Sequence, residues 1–291
     1  MTPITRLRMM TFNIRGGDKF EDEANTWSNR AALNTRIITK CNPAIIGFQE
    51  CQPENLTVYQ SFFHEYAFYL GHSTGVSNYN PFFWKSSHFD LVETGEFWLS
   101  PMPDANIPSK SWNASCKRSA TWVKLQIRGG NFTLLLVNNH WDHISEEARR
   151  ESACLLRKKI FELSQDGQLP TVVCGDFNCS PWHPQDDPRS GEPPTNEPYH
   201  YLGKQGFIDC FIAAGNKDSL ASNTFHGFMG EGYEAWRHHL LWRADWILLF
   251  DPYSFMEVQN CSIIRDNESP LFSSDHYPVI ADFIVPRVTV M

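Results

Sequence analysis

Short apolar runs of strand length, rich in β-branched and aromatic residues, recur along the chain at 7–12, 44–49, 66–70, 120–127, 132–138, 171–174, 245–250 and 278–285. Runs this short, set between turn signals, predict buried strands, so sheet dominates the expected fold. Many of them stop on a polar residue. Thr171-Val172-Val173-Cys174 leads into Gly175-Asp176-Phe177-Asn178, while Asn13 and Glu50 close the first two runs and His140 follows the run from Phe132 to Val137. Ser274-Asp275-His276 leads directly into Pro278-Val279-Ile280. Strand ends on one sheet rim are where a rigid scaffold aims oxygens and imidazoles at a shared point, which suggests a hydrolytic metal site.

Two segments read as convincing helices. The first is 28–41, with Ser28 or Asn29 as cap and Pro43 beyond its end; the second is 145–164, where Ser145 can cap and Glu146 and Glu147 suit the positive first turn. Leu156, Ile160 and Leu163 line one face of the second. The early order of strand, helix, strand, helix, followed by closely spaced strands, fits an α/β chain with two packed sheets flanked by helices. No internal repeat is evident. The one break in composition is the proline-rich stretch 180–198, too rich in proline for a helix or sheet interior, which leaves from Asn178 and predicts a specificity loop over the site.

A chain of 291 residues with 42% apolar and 20% charged content accommodates a single domain over 1–291. Its formal net charge of −8 supplies no basic field for tight, nonspecific binding to a nucleic-acid duplex. The eight cysteines form no CxxC pair and no zinc spacing, so buried, reduced thiols are expected. Residues 1–12 lack the pattern of a secretory leader and no run approaches membrane-spanning length, which predicts a cytoplasmic protein without membrane insertion. No obligate protein partner is evident. Six Asn-x-Ser/Thr sequons occur, one of them at Asn178 inside the expected site, where a glycan would block it.

Phosphate ester hydrolysis needs a hard cation on the phosphoryl oxygens, an activated water and stabilisation of the leaving oxygen. Glu50 suits magnesium, which prefers one or two carboxylates plus water and substrate. Asn13 can join the same metal shell or hold a ligand carboxylate, and Asp275 adds a second acid. Asp176 and Asn178 alternate along one strand end and so project to the same side. His276 is a candidate acid or base, with Asp245 in Arg243-Ala244-Asp245-Trp246 as the carboxylate that fixes its tautomer.

In order along the chain, Phe12-Asn13-Ile14-Arg15, Gly47-Phe48-Gln49-Glu50, Asn138-Asn139-His140, Gly175-Asp176-Phe177-Asn178, Arg243-Ala244-Asp245-Trp246 and Ser274-Asp275-His276-Tyr277-Pro278 resemble the motifs of the endonuclease/exonuclease/phosphatase superfamily. The resemblance covers almost the whole chain. It implies a four-layer α/β/β/α sandwich of two mostly antiparallel sheets, as in deoxyribonuclease I. It also implies a metal site at Glu50, Asn13 and Asp275, a phosphate contact at His140, positioning of water and phosphate by Asp176 and Asn178, and a dyad of Asp245 and His276. Tyr79-Asn80-Pro81-Phe82-Phe83-Trp84, Cys116-Lys117-Arg118 and His140-Trp141-Asp142-His143 are similar to a bacterial-type branch. Arg118 is the candidate second phosphate clamp, since a guanidinium binds phosphate oxygens in a fork. Arg15, Tyr79, Trp141, Asp142 and His143 are further candidates for substrate contact. Asp142 and His143 read equally as pocket lining or as caps of the helix near Ser145. Trp141, Trp182, Trp236 and Trp242 form either an aromatic wall or packing between sheet and loops, and the adjacent His238 and His239 point apart and do not share one ion.

The expected activity is therefore a magnesium-dependent phosphoesterase, with manganese as a possible substitute. Water attacks phosphorus in line, and a small phosphorylated substrate is favoured over a nucleic-acid end. The alternatives are a nuclease acting on single strands or 3′ ends and a noncatalytic phosphate-binding module.

Overall fold

The computed structural model describes residues 6–17, 23–72, 78–107, 110–181, 196–233 and 242–285. Its strands are β1 (Arg6–Asn13), β2 (Ile45–Gln49), β3 (Tyr66–Tyr69), β4 (Phe82–Lys85), β5 (Phe89–Trp98), β6 (Ser119–Ile127), β7 (Thr133–His140), β8 (Thr171–Asp176), β9 (Ile208–Asp209), β10 (Asp245–Phe250), β11 (Glu257–Ile263) and β12 (Val279–Ile284). They form two six-stranded sheets, ordered β11-β12-β1-β2-β4-β3 and β5-β6-β7-β8-β10-β9. Only β1 with β2 and β7 with β8 run parallel; the other pairs are antiparallel. Each parallel pair is joined by a crossover helix, as parallel strands require.

Those helices are α1 (Trp27–Cys41) and α3 (Glu146–Leu163). In α3 the expected cap forms: Ser145 Oγ accepts from Ala148 N at 3.1 Å, with Glu146 and Glu147 in the first turn. Helix α1 ends at Asn42, whose left-handed backbone (φ 49°) returns its N–H to Ile38 O. Three further helices were not singled out from the sequence: α2 (Pro53–Phe62), α4 (Glu197–Lys204) and α5 (Cys210–Ala213). Helix α4 corrects the far boundary of the expected 180–198 loop, because Pro198 sits in a first helical turn, where a missing N–H costs nothing. The stretch 182–195, with Trp182, lies outside the described residues, as do Trp236, His238 and His239.

Strand alternation sorts the core into three apolar layers. Leu7 and Met9 of β1, Ile45 of β2, Leu134 and Leu136 of β7, Val172 and Cys174 of β8 and Ile247 and Leu249 of β10 meet between the sheets. On the outer face of the first sheet Met10, Phe12, Ile46 and Phe48 pack against Leu33, Ile37 and Ile38 of α1. On the outer face of the second, Leu135, Val137, Val173, Trp246 and Leu248 pack against Ala153, Leu156 and Ile160 of α3. The order helix, sheet, sheet, helix is the four-layer sandwich the motifs implied. No helix among the described residues is long and apolar enough to cross a membrane.

Candidate functional site

The face that is apolar between the sheets turns polar at one rim. Continuing the alternation of Leu134 and Leu136 brings Asn138 and His140 to that face; Val172 and Cys174 bring Asp176, Ile247 brings Asp245, and Leu7 and Met9 bring Thr11 and Asn13. Register then aligns them, with His140 and Asp245 the direct neighbours of Asp176 on either side. Gly175 makes this possible. Its φ of 147° and the 1.9 Å that would separate an added Cβ from Asn139 O admit no side chain between Cys174 and Asp176.

Below the rim the sheets touch. Gly47 leaves room for the Cys174 thiol, which an added Cβ would approach to 2.5 Å. Gln49 Nε2 donates across the gap to Asn138 Oδ1 at 2.7 Å, and Asn138 Nδ2 donates to Phe48 O at 2.7 Å. The two amide nitrogens are spent on the facing amide, on backbone carbonyls and on Thr11 Oγ1, forming a floor.

Asp176 stands at the centre of the site. Its Oδ2 accepts from Asn13 Nδ2 at 3.0 Å and lies 3.4 Å from His140 Nε2 and 3.8 Å from His276 Nε2, while its Oδ1 accepts from Asn178 N at 2.9 Å. The other ring nitrogen of His276, Nδ1, is 2.8 Å from Asp245 Oδ2. Burial, with the Asp245 charge beside it, holds the Asp176 carboxyl well above its usual range. Burial would lower the His276 imidazole, but the Asp245 and Asp176 carboxylates outweigh it and raise its pKa. His140 is driven the other way by burial and by the nearby Arg118 charge, so it stays neutral. Asn178 turns its Nδ2 to Trp141 O at 3.0 Å and adopts φ 45°.

A second group of acids faces the same cavity from the first sheet. Glu50 leaves β2 with φ 59°, a conformation that costs about 1–3 kcal/mol in a residue of this kind and occurs where surrounding structure imposes it. Its Oε1 accepts from Asn13 Nδ2 at 3.0 Å. Burial holds the Asp275 carboxyl above its ordinary value, and the Glu50 charge adds to this against the pull of His276 and Arg15. Two acids in mutual repulsion, all oxygen, match the donor set of a hard divalent cation. Of the two roles the sequence offered Asn13, its amide nitrogen takes the one of holding carboxylates. Its Nδ2 faces both Glu50 and Asp176, and its Oδ1 accepts from Arg15 N at 3.0 Å, which leaves that oxygen a second lone pair. Asp176, Asp245 and His276 also bring ligand atoms within 4.8 Å of one another, but there the short bond between His276 and Asp245 already occupies the pair.

The cavity these groups enclose measures about 440 Å³ and is lined further by Arg15, Asn78, Cys116, Arg118, His143, Phe225 and Trp242. Residues 10–276 match the sequence pattern described as the Endonuclease/Exonuclease/phosphatase family. The chain belongs to that family. It is accordingly a hydrolase acting on phosphoester bonds. Among solved structures, a family protein from Bacteroides thetaiotaomicron is 25% identical with a TM-score of 0.82, covering 98% of this chain and 97% of its own. A mannosyl-6-phosphatase from the same organism is 26% identical with a TM-score of 0.81, covering 96% and 99%. A third, from Bacteroides vulgatus, is 27% identical with a TM-score of 0.81, covering 97% and 100%. Among curated proteins no sequence match is found.

Within this family member, three expected substrate contacts take other places. Trp141 is fully buried against Phe177 and Trp246 on the α3 side of the second sheet and presents no surface to a ligand. The Tyr79 ring packs into the α1 layer, and its backbone pairs with Cys51, so the residue of that segment facing the cavity is Asn78. Asp142, 1% exposed, spends its carboxylate on the N–H groups of Ser115, Ile144 and Ser145 and on Ser115 Oγ at 2.7 Å. Despite burial, those bonds hold its pKa at about 2. His143 and Arg118 do face the cavity, paired through Arg118 Nη2 and His143 Nδ1 at 3.1 Å. Since guanidinium only donates, that ring nitrogen is the acceptor.

Sequence reasoning missed Arg30. Fully buried in α1, it donates to Asn25 O, Ile14 O, Ser273 O and Arg15 O, tying the exit of β1 to the segment that carries Ser274, Asp275 and His276. It also missed Phe225, whose ring lies 5.0 Å from that of His276.

Proposed function

We propose that this protein is a magnesium-dependent phosphatase or phosphodiesterase that hydrolyses a small phosphorylated substrate by direct attack of water. The observation that carries the reading is Asp176, basic for a carboxylate and ringed within 3.0–3.8 Å by Asn13, His140 and His276 at the cavity floor. Glu50 and Asp275 would hold the cation, whose chemistry when bound is to draw charge from the phosphoryl oxygens. Manganese, with similar oxygen preference, would substitute.

Asp176, more basic than an ordinary carboxylate and next to a His276 that is already protonated, takes the proton of the attacking water as the P–O bond to the leaving group breaks, and the leaving oxygen takes its proton from solvent. His276, held as imidazolium between Asp245 and Asp176, stabilises negative charge on the phosphoryl group, and Asp245 fixes the ring through Nδ1. Neutral His140 and the Arg118 guanidinium contact phosphate oxygens. Asn178 turns its amide nitrogen to Trp141 O and so shapes the strand end more than the substrate.

Three facts favour a small substrate over a nucleic-acid strand. The cavity is about 440 Å³, the net charge is −8, and a relative of 26% identity is a mannosyl-6-phosphatase. The eight unpaired cysteines suit a reducing, cytoplasmic setting. Release of phosphate from a panel of sugar phosphates and nucleotides, run beside cleavage of single- and double-stranded oligonucleotides with magnesium or chelator, tests the reading. Turnover of small esters that chelator abolishes is expected, falling roughly 10²- to 10⁴-fold in His276→Ala and Asp176→Ala with the fold retained. Efficient strand cleavage at physiological salt would replace the small-substrate reading with a nuclease.

A further inference from the structure

Arg118 reaches the cavity from the segment that enters β6, and His143 reaches it from the segment that leaves β7. One buried carboxylate ties the two segments together. Asp142 Oδ2 accepts from Ser115 N at 2.8 Å and Cys116 N at 3.3 Å, while its Oδ1 accepts from Ile144 N at 3.0 Å and Ser145 N at 2.8 Å. On this frame Arg118 Nη2 meets His143 Nδ1 at 3.1 Å, the guanidinium's one hydrogen bond among the described residues. Its Nε, sheltered from solvent, has no partner there, and no carboxylate forms an ion pair with it. Ser115 Oγ also lies 3.3 Å from His143 Nδ1, but its single hydrogen goes to Asp142 Oδ2 at 2.7 Å, so the guanidinium is the donor to that ring nitrogen. Partial burial and the Arg118 charge lower the His143 pKa, which keeps the ring neutral with its proton on Nε2.

We propose that His143 is the positioning residue of a phosphate clamp: its ring holds Arg118 in place without cancelling its charge, and the remaining N–H groups of the guanidinium take the phosphoryl oxygens of the substrate. This rests on the phosphoesterase reading above. A carboxylate in the place of the ring would hold the arginine more tightly, but the pair would be close to neutral and would attract an anion less. A neutral acceptor orients the fork and leaves the full positive charge to the ligand. Holding a long side chain in its bound position beforehand raises affinity, because less ordering is left to be done when the anion arrives.

The test is calorimetric titration of the full chain with inorganic phosphate, in the presence of magnesium, for wild type, His143→Ala, His143→Asn, Arg118→Gln and the double variant of His143→Ala with Arg118→Gln. Loss of the ring in His143→Ala is expected to weaken phosphate binding roughly 3- to 10-fold, the scale of one hydrogen bond to a charged group. His143→Asn, whose side-chain oxygen can accept from Nη2 in place of Nδ1, should stay within about twofold of wild type. In the Arg118→Gln background the His143→Ala change should have an effect below about twofold, because no guanidinium remains to be positioned. Equal weakening by His143→Ala in both backgrounds, equal weakening by His143→Asn and His143→Ala, or unchanged affinity in His143→Ala overturns the proposal while leaving the phosphate contact at Arg118 standing. Absence of phosphate binding in wild type, or full binding in Arg118→Gln, would instead remove that contact, and the proposal with it.

Discussion

At the scale of single residues, the site is built from groups whose ionisation is set by their neighbours. Asp142 gives the simplest measurable case. Its folded pKa of about 2 lies below the ordinary 3.8, so the folded state holds this proton less tightly than the unfolded chain. The associated stability is present above the ordinary value and is lost as pH falls from about 4 toward 2, amounting to about 2 kcal/mol. Urea unfolding of Asp142→Asn across that range should show a flatter acid limb than wild type; identical limbs would remove Asp142 as the source. Much of the central cluster was legible in the sequence, because Asp176, Asp245, His140 and His276 each adjoin a run whose alternation fixes their side. The same alternation decides Trp141: if His140 faces between the sheets, its successor faces the helices. Arg30 was not legible. Its partners are backbone carbonyls of residues 14, 15, 25 and 273, and nothing in an isolated arginine codes for so scattered a set.

At the scale of elements, the strand that carries Asp176 depends on a residue with no side chain. Gly175→Ala would set a Cβ against Asn139 O at a φ that side chains rarely adopt, and β7 or β8 would have to part. We expect a loss of about 3 kcal/mol or more by urea denaturation, near the top of single-residue effects, with activity falling together with it. Loss under 1 kcal/mol would mean the two strands re-register without penalty. Strands facing core on both sides, such as β2, β8 and β10, fell close to their expected limits. Strand β11, Glu-Val-Gln-Asn-Cys-Ser-Ile at a sheet edge, has too few apolar residues to register as a run, and β5 carries exposed Leu91 and Val92 at a bulge that breaks its alternation. Helix α4 was hidden for another reason: Glu197 and Pro198 read as the tail of a loop until the following residues are seen to turn.

At the scale of the whole molecule, the acids of one sheet and the acid–imidazole row of the other meet only when both sheets are packed, so ligand binding and folding are linked. Magnesium should raise the melting temperature of wild type by a few degrees at saturating concentration and leave Glu50→Ala unmoved. An equal rise in both would place the ion elsewhere. The joint between the sheets carries a further consequence. Where Gly47 admits the Cys174 thiol and Gln49 reaches Asn138, the described residues close the gap between the layers beneath the site. For the proposed phosphoesterase this means that product cannot pass downward between those two contacts, so a bulky group placed at the open rim should slow arrival and exit alike.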